Sequence, residues 1–179
     1  MEKSSSLFEF VWQQSNQLLH QTAAHIGLTI ISLLIALMIA LPLGILISRN
    51  QRLSAPVLGL ASILQTIPSI ALLGVMIPLF GIGPKPAVIA LFLYALLPII
   101  RNTYAGIREV DASVKDAAKG MGLSKKQILF KVELPLAFPV IMAGIRTATV
   151  INVGVATLAA DIAAGGLGEF IFGGIALNN

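Results

Sequence analysis

The chain has 179 residues, of which 56% are hydrophobic and only 11% charged; twelve basic and eight acidic residues give a net charge of +4, and there is no cysteine. Soluble domains carry roughly a quarter charged residues, so this composition excludes one and points to a polytopic membrane protein. The lack of cysteine excludes disulfides and thiolate metal sites.

Residues 1–21 hold one Lys, two Glu and several Gln where a secretory signal would start with basic residues, so no such signal is expected. Leu7, Phe8, Val11, Trp12, Leu18 and Leu19 recur at helical spacing, which predicts an interfacial amphipathic helix over 1–24 with Trp12 at headgroup depth. His20 and His25 are read as interfacial polar residues, and no metal site is expected.

Gly27–Ile47 is uncharged and, at about 1.5 Å per residue, crosses a core of roughly 30 Å. Arg49 and Arg52 close it. Residues 55–80 are again uncharged but are interrupted by Gln65, Thr66, Pro68, Ser69, Gly74 and Pro78, which predicts a broken helix pair. After the turn at 81–86, residues 87–107 make a further span with Arg101, Asn102 and Thr103 in its last third. Another span runs over 139–160, with Arg146 about 10 Å along it, placed to snorkel, and Asn152 inside. The tail Gly165-Gly166-Leu167-Gly168 to Phe172 is too short to cross and is expected to be re-entrant or interfacial; no strand precedes its glycines, so it is no dinucleotide fingerprint.

Arg49, Arg52, Arg108, Lys115, Lys119, Lys125, Lys126 and Lys131 fall on one side, eight of the twelve basic residues, which places the loop 111–134 in the cytoplasm and the N-terminus outside. The charge is a topology signal; no nucleic-acid partner is expected. Within that loop, Val114, Ala117, Ala118 and Met121 share a helical face over 112–120, with Asp111 as N-cap. Gly122 suits a left-handed helix end, and Ser124-Lys125-Lys126-Gln127 fits a capping box opening a second helix that Leu134-Pro135 stops. Small Ala117 and Ala118 would let a partner surface approach, with Lys119, Lys125 and Lys126 around the contact.

This segment resembles the cytoplasmic coupling loop of binding-protein-dependent ABC importer permeases. That family's loop reads Glu-Ala-Ala, three residues, Gly, nine residues, Ile, one residue, Leu-Pro. Here Asp116-Ala117-Ala118, Gly122, Val132 and Leu134-Pro135 stand at those places, with Asp for Glu and Val for Ile as conservative departures. His25-x-x-Leu28-Thr29, Leu41-Pro42-Leu43-Gly44, Gln65-Thr66-Ile67-Pro68-Ser69, Phe80-Gly81-Ile82-Gly83 and Ala164-Gly165-Gly166-Leu167-Gly168 further resemble osmoprotectant permeases.

The resemblance implies an all-α, single-domain permease over 1–179 with about five membrane-embedded helices in the bacterial inner membrane. It further implies a second permease copy or paralogue, two ATP-binding subunits carrying Mg-ATP, and an extracytoplasmic binding protein for glycine betaine, carnitine or choline. The chain itself is expected to bind no cofactor and to catalyse nothing, since it has no Gly-x-x-x-x-Gly-Lys loop and no triad. Asp116, Ala117, Ala118, Lys119, Gly122, Leu134 and Pro135 would couple to the ATPase. Gln65, Thr66, Pro68 and Ser69 beside the helix break, with Asn152 and Asp161, are pathway candidates; helix–helix bonding for Gln65 and its neighbours, packing for Asn152 and the water boundary for Asp161 are the structural alternatives. Asp161 departs from the family, which tends to place an apolar residue there, and family members continue past Gly168 into one more helix, so a final transmembrane helix is expected beyond residue 179. Rival readings are the same machinery for another solute such as methionine, an ATP-independent channel or carrier, and a membrane anchor. The carrier reading is disfavoured because the acidic residues between 27 and 160 lie only in or beside the loop.

Overall fold

The uncharged run from Gly27 lies inside a much longer helix. The computed structural model describes residues 11–176, and in chain order its elements are α1 (Ser15–Arg49), α2 (Gln51–Thr66), α3 (Ser69–Phe80), α4 (Pro84–Arg108), α5 (Ala112–Gly120), α6 (Lys125–Ile128), a π-helical turn (Leu129–Glu133), α7 (Leu134–Leu158), a 3-10 turn (Ala159–Ile162) and α8 (Gly168–Ala176). No strand occurs among the described residues, so the all-α expectation holds. Helices α1 and α4 and the continuous stretch Lys125–Ile162 are each long and apolar enough to span a bilayer, and the bent pair α2–α3 makes a fourth candidate.

Two expected boundaries are corrected. No separate helix ends at residue 24: α1 is 35 residues, about 52 Å, and runs unbroken from Ser15 through the apolar run. Between Ser15 and Gly27 there is no proline, and one interior glycine costs only about 1 kcal/mol, so nothing there stops a helix. Within 15–24, Gln21 is buried and bonded to other parts of the chain rather than lying at an interface. Leu7 and Phe8 lie outside the described residues; Trp12 and Leu19 are exposed.

The second correction concerns Leu134-Pro135, which does not end a helix. A proline clashes with the carbonyl four residues back, and the preceding turn widens to accommodate it: the Leu134 N–H bonds Leu129 O, five residues back, and the helix continues through Pro135 into α7. The broken span does break where the sequence places the break. Ile67 is extended (φ −71°, ψ 126°), as the residue before a proline prefers, and α3 restarts at Ser69.

Burial follows an inverted rule. The buried stripe of α1 is Gln21, His25, Thr29, Ser32, Ala36, Ala40 and Ile47, at three-, four- and seven-residue steps, whereas Ile26, Ile30, Leu34, Met38 and Leu46 are exposed. On α1 the side chains facing protein are mostly small or polar, with Leu28 and Ile47 also buried, and most large aliphatic ones face outward, the arrangement suited to lipid, where apolar surface gains nothing from leaving its solvent.

Contacts divide the chain into two units. One comprises Leu33–Ile67 and Phe92–Asn152. Its core is rich in alanine (Ala36, Ala40, Ala61, Ala95, Ala148) around Ile47, Ile99 and Ile100. Helix α4 approaches α1 so closely that a Cβ on Gly44 would stand 2.6 Å from Thr103 Cβ, and approaches α7 so that one on Gly144 would stand 2.8 Å from the Pro98 carbonyl oxygen. Pro98 has no N–H, which leaves the Tyr94 carbonyl without its helical donor; the Gln65 amide supplies one at 2.9 Å. In return the Tyr94 hydroxyl donates to the Ile67 carbonyl orphaned at the break.

The other unit comprises the residues up to Ser32, Pro68–Leu91 and those from Val153 onward. Here two short sequence motifs meet. The Gly166 N–H donates to Gln21 Oε1 at 2.7 Å, Gln21 Nε2 donates to the Glu169 carboxylate, and His25 Nε2 bonds the Val153 carbonyl at 3.1 Å. Gly166 takes φ +96°, and a Cβ there would press to 3.2 Å from His25 Nδ1, so the Gly-Gly turn is a packed backbone corner against α1.

The close approach predicts an ordering. Gly144→Ala should lower stability by about 1–3 kcal/mol, the usual penalty for overpacking, whereas Gly59→Ala, inside α2 with a Cβ that meets nothing within 4 Å, should leave stability unchanged or raise it by up to about 1 kcal/mol. Thermal unfolding of the purified chain in detergent checks it; equal midpoints would contradict the helix contact.

Candidate coupling site

Local backbone chemistry builds the segment between α4 and α7. The Asp111 side chain accepts from the Ser113 N–H at 2.8 Å and starts α5. That bond, followed by one with the Ser113 hydroxyl, holds the Asp111 carboxyl below its ordinary value, so the cap is ionised at neutral pH. The helix closes with the paired bonds of a Schellman end, Leu123 N–H to Ala118 O at 3.2 Å and Gly122 N–H to Lys119 O at 2.9 Å, with Gly122 at φ +79°. Ser124 and Gln127 form the reciprocal capping box that opens α6. The result is helix, glycine turn, helix.

The coupling candidates divide by exposure. Asp116 and Lys119 are exposed and paired at 2.7 Å, Ala117 and Met121 are exposed beside them, and Gly122 lies on the surface. Ala118 is 1% exposed, so its small size serves packing within the chain and not the approach of a partner. Leu134 is half-buried and Pro135 exposed, in the stretch that leads from the π turn into α7.

One pair went unnoticed in the sequence. Glu133 accepts both guanidinium nitrogens of Arg49, one at 3.2 Å, tying the end of α1 to the π turn. Its side chain is only 4% exposed against 42% for Arg49. An acid flanked by Val132 and Leu134 immediately before a span, with an arginine ending an earlier one, was the available signal.

Among the pathway candidates, Gln65 spends its amide on Tyr94, which is the helix–helix alternative, and Thr66 donates to Ile63 O in its own helix. Asn152 is fully buried; Pro68 and Asp161 are exposed and Ser69 is half-buried. Arg146 lies about 18 Å along α7 rather than 10 Å, because the helix starts before Pro139. It lines an open groove of about 710 Å³ with Met142, Thr147 and Val150.

The Arg49–Glu133 pair is lopsided, and its mutants should be too. Arg49→Met strands a buried carboxylate and should cost about 3–5 kcal/mol; Glu133→Gln leaves an arginine that can turn to water and should cost clearly less; Arg49→Met with Glu133→Leu should recover much of the loss. Denaturation midpoints of the three variants check this, and equal losses for the two single changes would contradict it.

Residues 32–177 match the family described as "Binding-protein-dependent transport system inner membrane component". The choline transport system permease protein OpuBB of Bacillus subtilis is 44% identical over 171 residues, covering 96% of this chain and 79% of that one. The osmoprotectant import permease protein OsmW of Salmonella typhimurium is 50% identical over 159 residues, covering 86% and 74%. Among solved structures, a chain of the MetNI methionine ABC transporter in an inward-facing conformation superposes with a TM-score of 0.81 at 27% identity, covering 93% of this chain and 85% of that one. The chain therefore belongs to the inner-membrane permease components of binding-protein-dependent ABC importers.

Proposed function

We propose that this permease carries quaternary ammonium osmoprotectants (glycine betaine, carnitine, choline) into the cell. In this reading two ATP-binding subunits hydrolyse Mg-ATP, a second permease copy or paralogue completes the pore, and an extracytoplasmic binding protein delivers the solute. The observation that carries the coupling role is the capped helix–glycine–helix at 111–128, with Asp116, Ala117, Lys119 and Met121 on its surface and a helical connection through the π turn into α7. A rigid protrusion joined to a spanning helix can pass a partner's closing motion into the membrane without a hinge at Pro135.

The solute assignment rests on relatives at 44% and 50% identity that are named for choline and osmoprotectants, against 27% for the methionine transporter. Aromatic cages usually hold quaternary ammonium groups. The chain has one Trp and two Tyr, and the hydroxyl of Tyr94 is engaged at the helix break. Solute selection accordingly belongs to the binding protein. The pathway is assigned to the break at Thr66, Pro68 and Ser69 and to Asp161 at the outer mouth. The proposed orientation puts residues 111–134 in the cytoplasm and the N-terminus outside, a reading that the basic loop ends support.

The test is solute-stimulated ATPase activity of the complex in proteoliposomes with its ATPase subunits and binding protein. Glycine betaine should stimulate hydrolysis and methionine should not. Ala117→Arg should abolish stimulation while the complex still assembles, and Gly122→Val, forced into a left-handed conformation costing roughly 1–2 kcal/mol, should weaken it. Undiminished stimulation in Ala117→Arg would refute the coupling role; stimulation by methionine alone would refute the solute class.

A further inference from the structure

The same segment holds a second feature. A cleft of about 350 Å³ is lined by Arg49, Arg108, Lys115, Lys119, Lys125 and Glu133. Glu133 is matched to Arg49, and Lys119 to Asp116 outside the cleft. Lys115 Nζ donates to the Ile107 carbonyl at 3.2 Å, capping the end of α4, and its charge also acts on the Asp111 carboxylate one turn back. The side chains of Arg108 and Lys125 make no ion pair or hydrogen bond among the described residues. Five cations thus line one concavity that contains a single carboxylate, and two of them, Arg108 and Lys125, have no ion pair, which leaves positive charge for an anion to meet.

Position says which anion. Arg49 and Arg108 are the last residues of α1 and α4, so the cleft opens where two apolar spans emerge, at the depth of lipid headgroups on the side carrying the basic loops. We infer that this cleft is a phosphate-binding site, with the Arg108 guanidinium offering the planar fork that fits a phosphate oxyanion and Lys115 and Lys125 acting as point charges. The phosphate is supplied by an anionic lipid headgroup of the cytoplasmic leaflet, or by a soluble phosphate. Because the occupant touches the end of α4, α5 and the start of α6 together, it stiffens the seat of the coupling helix and makes coupling sensitive to the anionic lipid content of the membrane. The inference rests on the cytoplasmic placement of the segment, and its binding test does not depend on the transported solute.

The experiment is native mass spectrometry of the intact transporter complex with phosphatidylglycerol, phosphatidylcholine or inorganic phosphate as probe. Wild type should retain phosphatidylglycerol in preference to phosphatidylcholine. Arg108→Gln with Lys125→Gln should weaken retention about tenfold or more, and Arg108→Lys with Lys125→Arg should restore most of it. Lys125→Gln alone serves if the double variant does not assemble. Inorganic phosphate binding with the same dependence on Arg108 and Lys125, without lipid retention, supports the site with a soluble source. Equal retention of the two lipids, or phosphatidylglycerol retention unchanged in the Gln variants, overturns the proposal; transport intact in that case leaves the proposed function standing.

Discussion

In a bilayer the helices gain nothing by hiding apolar surface from one another, so everything here depends on how closely α4 can approach its neighbours. Gly44 and Gly144 permit that approach, and Gly106, whose Cβ would stand 3.0 Å from Val140, adds a third point along α7. Close approach gathers dispersion contacts among small side chains and brings polar groups within bonding reach. The gap that Pro98 opens in α4 and the gap that Pro68 opens after α2 are closed by one another, through Gln65 and Tyr94. Two prolines that would each leave a bare carbonyl in lipid thereby become a single hydrogen-bonded joint.

The segment between α4 and α7 is built onto that frame. It leaves α4 at Arg108 and re-enters α7 through the π turn, with α5 lying against that turn. The buried carboxylate of Glu133 pins the turn to α1. A wide helical turn and a buried ion pair each carry a local cost, and both occur where a push on α5 would enter the membrane helices. The caps at Asp111 and Ser124 and the Schellman end at Gly122 complete a protrusion whose backbone donors and acceptors are largely met internally. Its exposed Asp116, Ala117 and Met121 remain free to meet another surface.

Features fixed by neighbours in sequence were legible. The cap at Asp111, the left-handed Gly122, the Ser124–Gln127 box and the break before Pro68 each follow from bonds spanning a few residues, and each stands where the sequence puts it. Features fixed by distant partners were not. Gln65 meets Tyr94 across 29 residues, Arg49 meets Glu133 across 84, and Gln21 meets Gly166 across 145, so composition leaves their roles open. Ala118 sits on the face expected to meet a partner, yet it packs inward, because helical periodicity identifies a face without saying what covers it. Pro135 was misread as a stop because the rule against interior proline assumes an α-helical turn before it, and here that turn is π.

The central claim is that α5 is the surface on which the ATPase subunit seats, and the absence of native cysteine allows it to be read at one position. Ala117→Cys and, as a control in the turn between α3 and α4, Lys85→Cys would be labelled with a maleimide in membranes, with and without the ATPase subunits. The account predicts that assembly slows labelling at residue 117 at least about tenfold, a protection of roughly 1.4 kcal/mol, and leaves residue 85 unchanged. Unchanged labelling at residue 117 in an assembled, ATP-hydrolysing complex would contradict it.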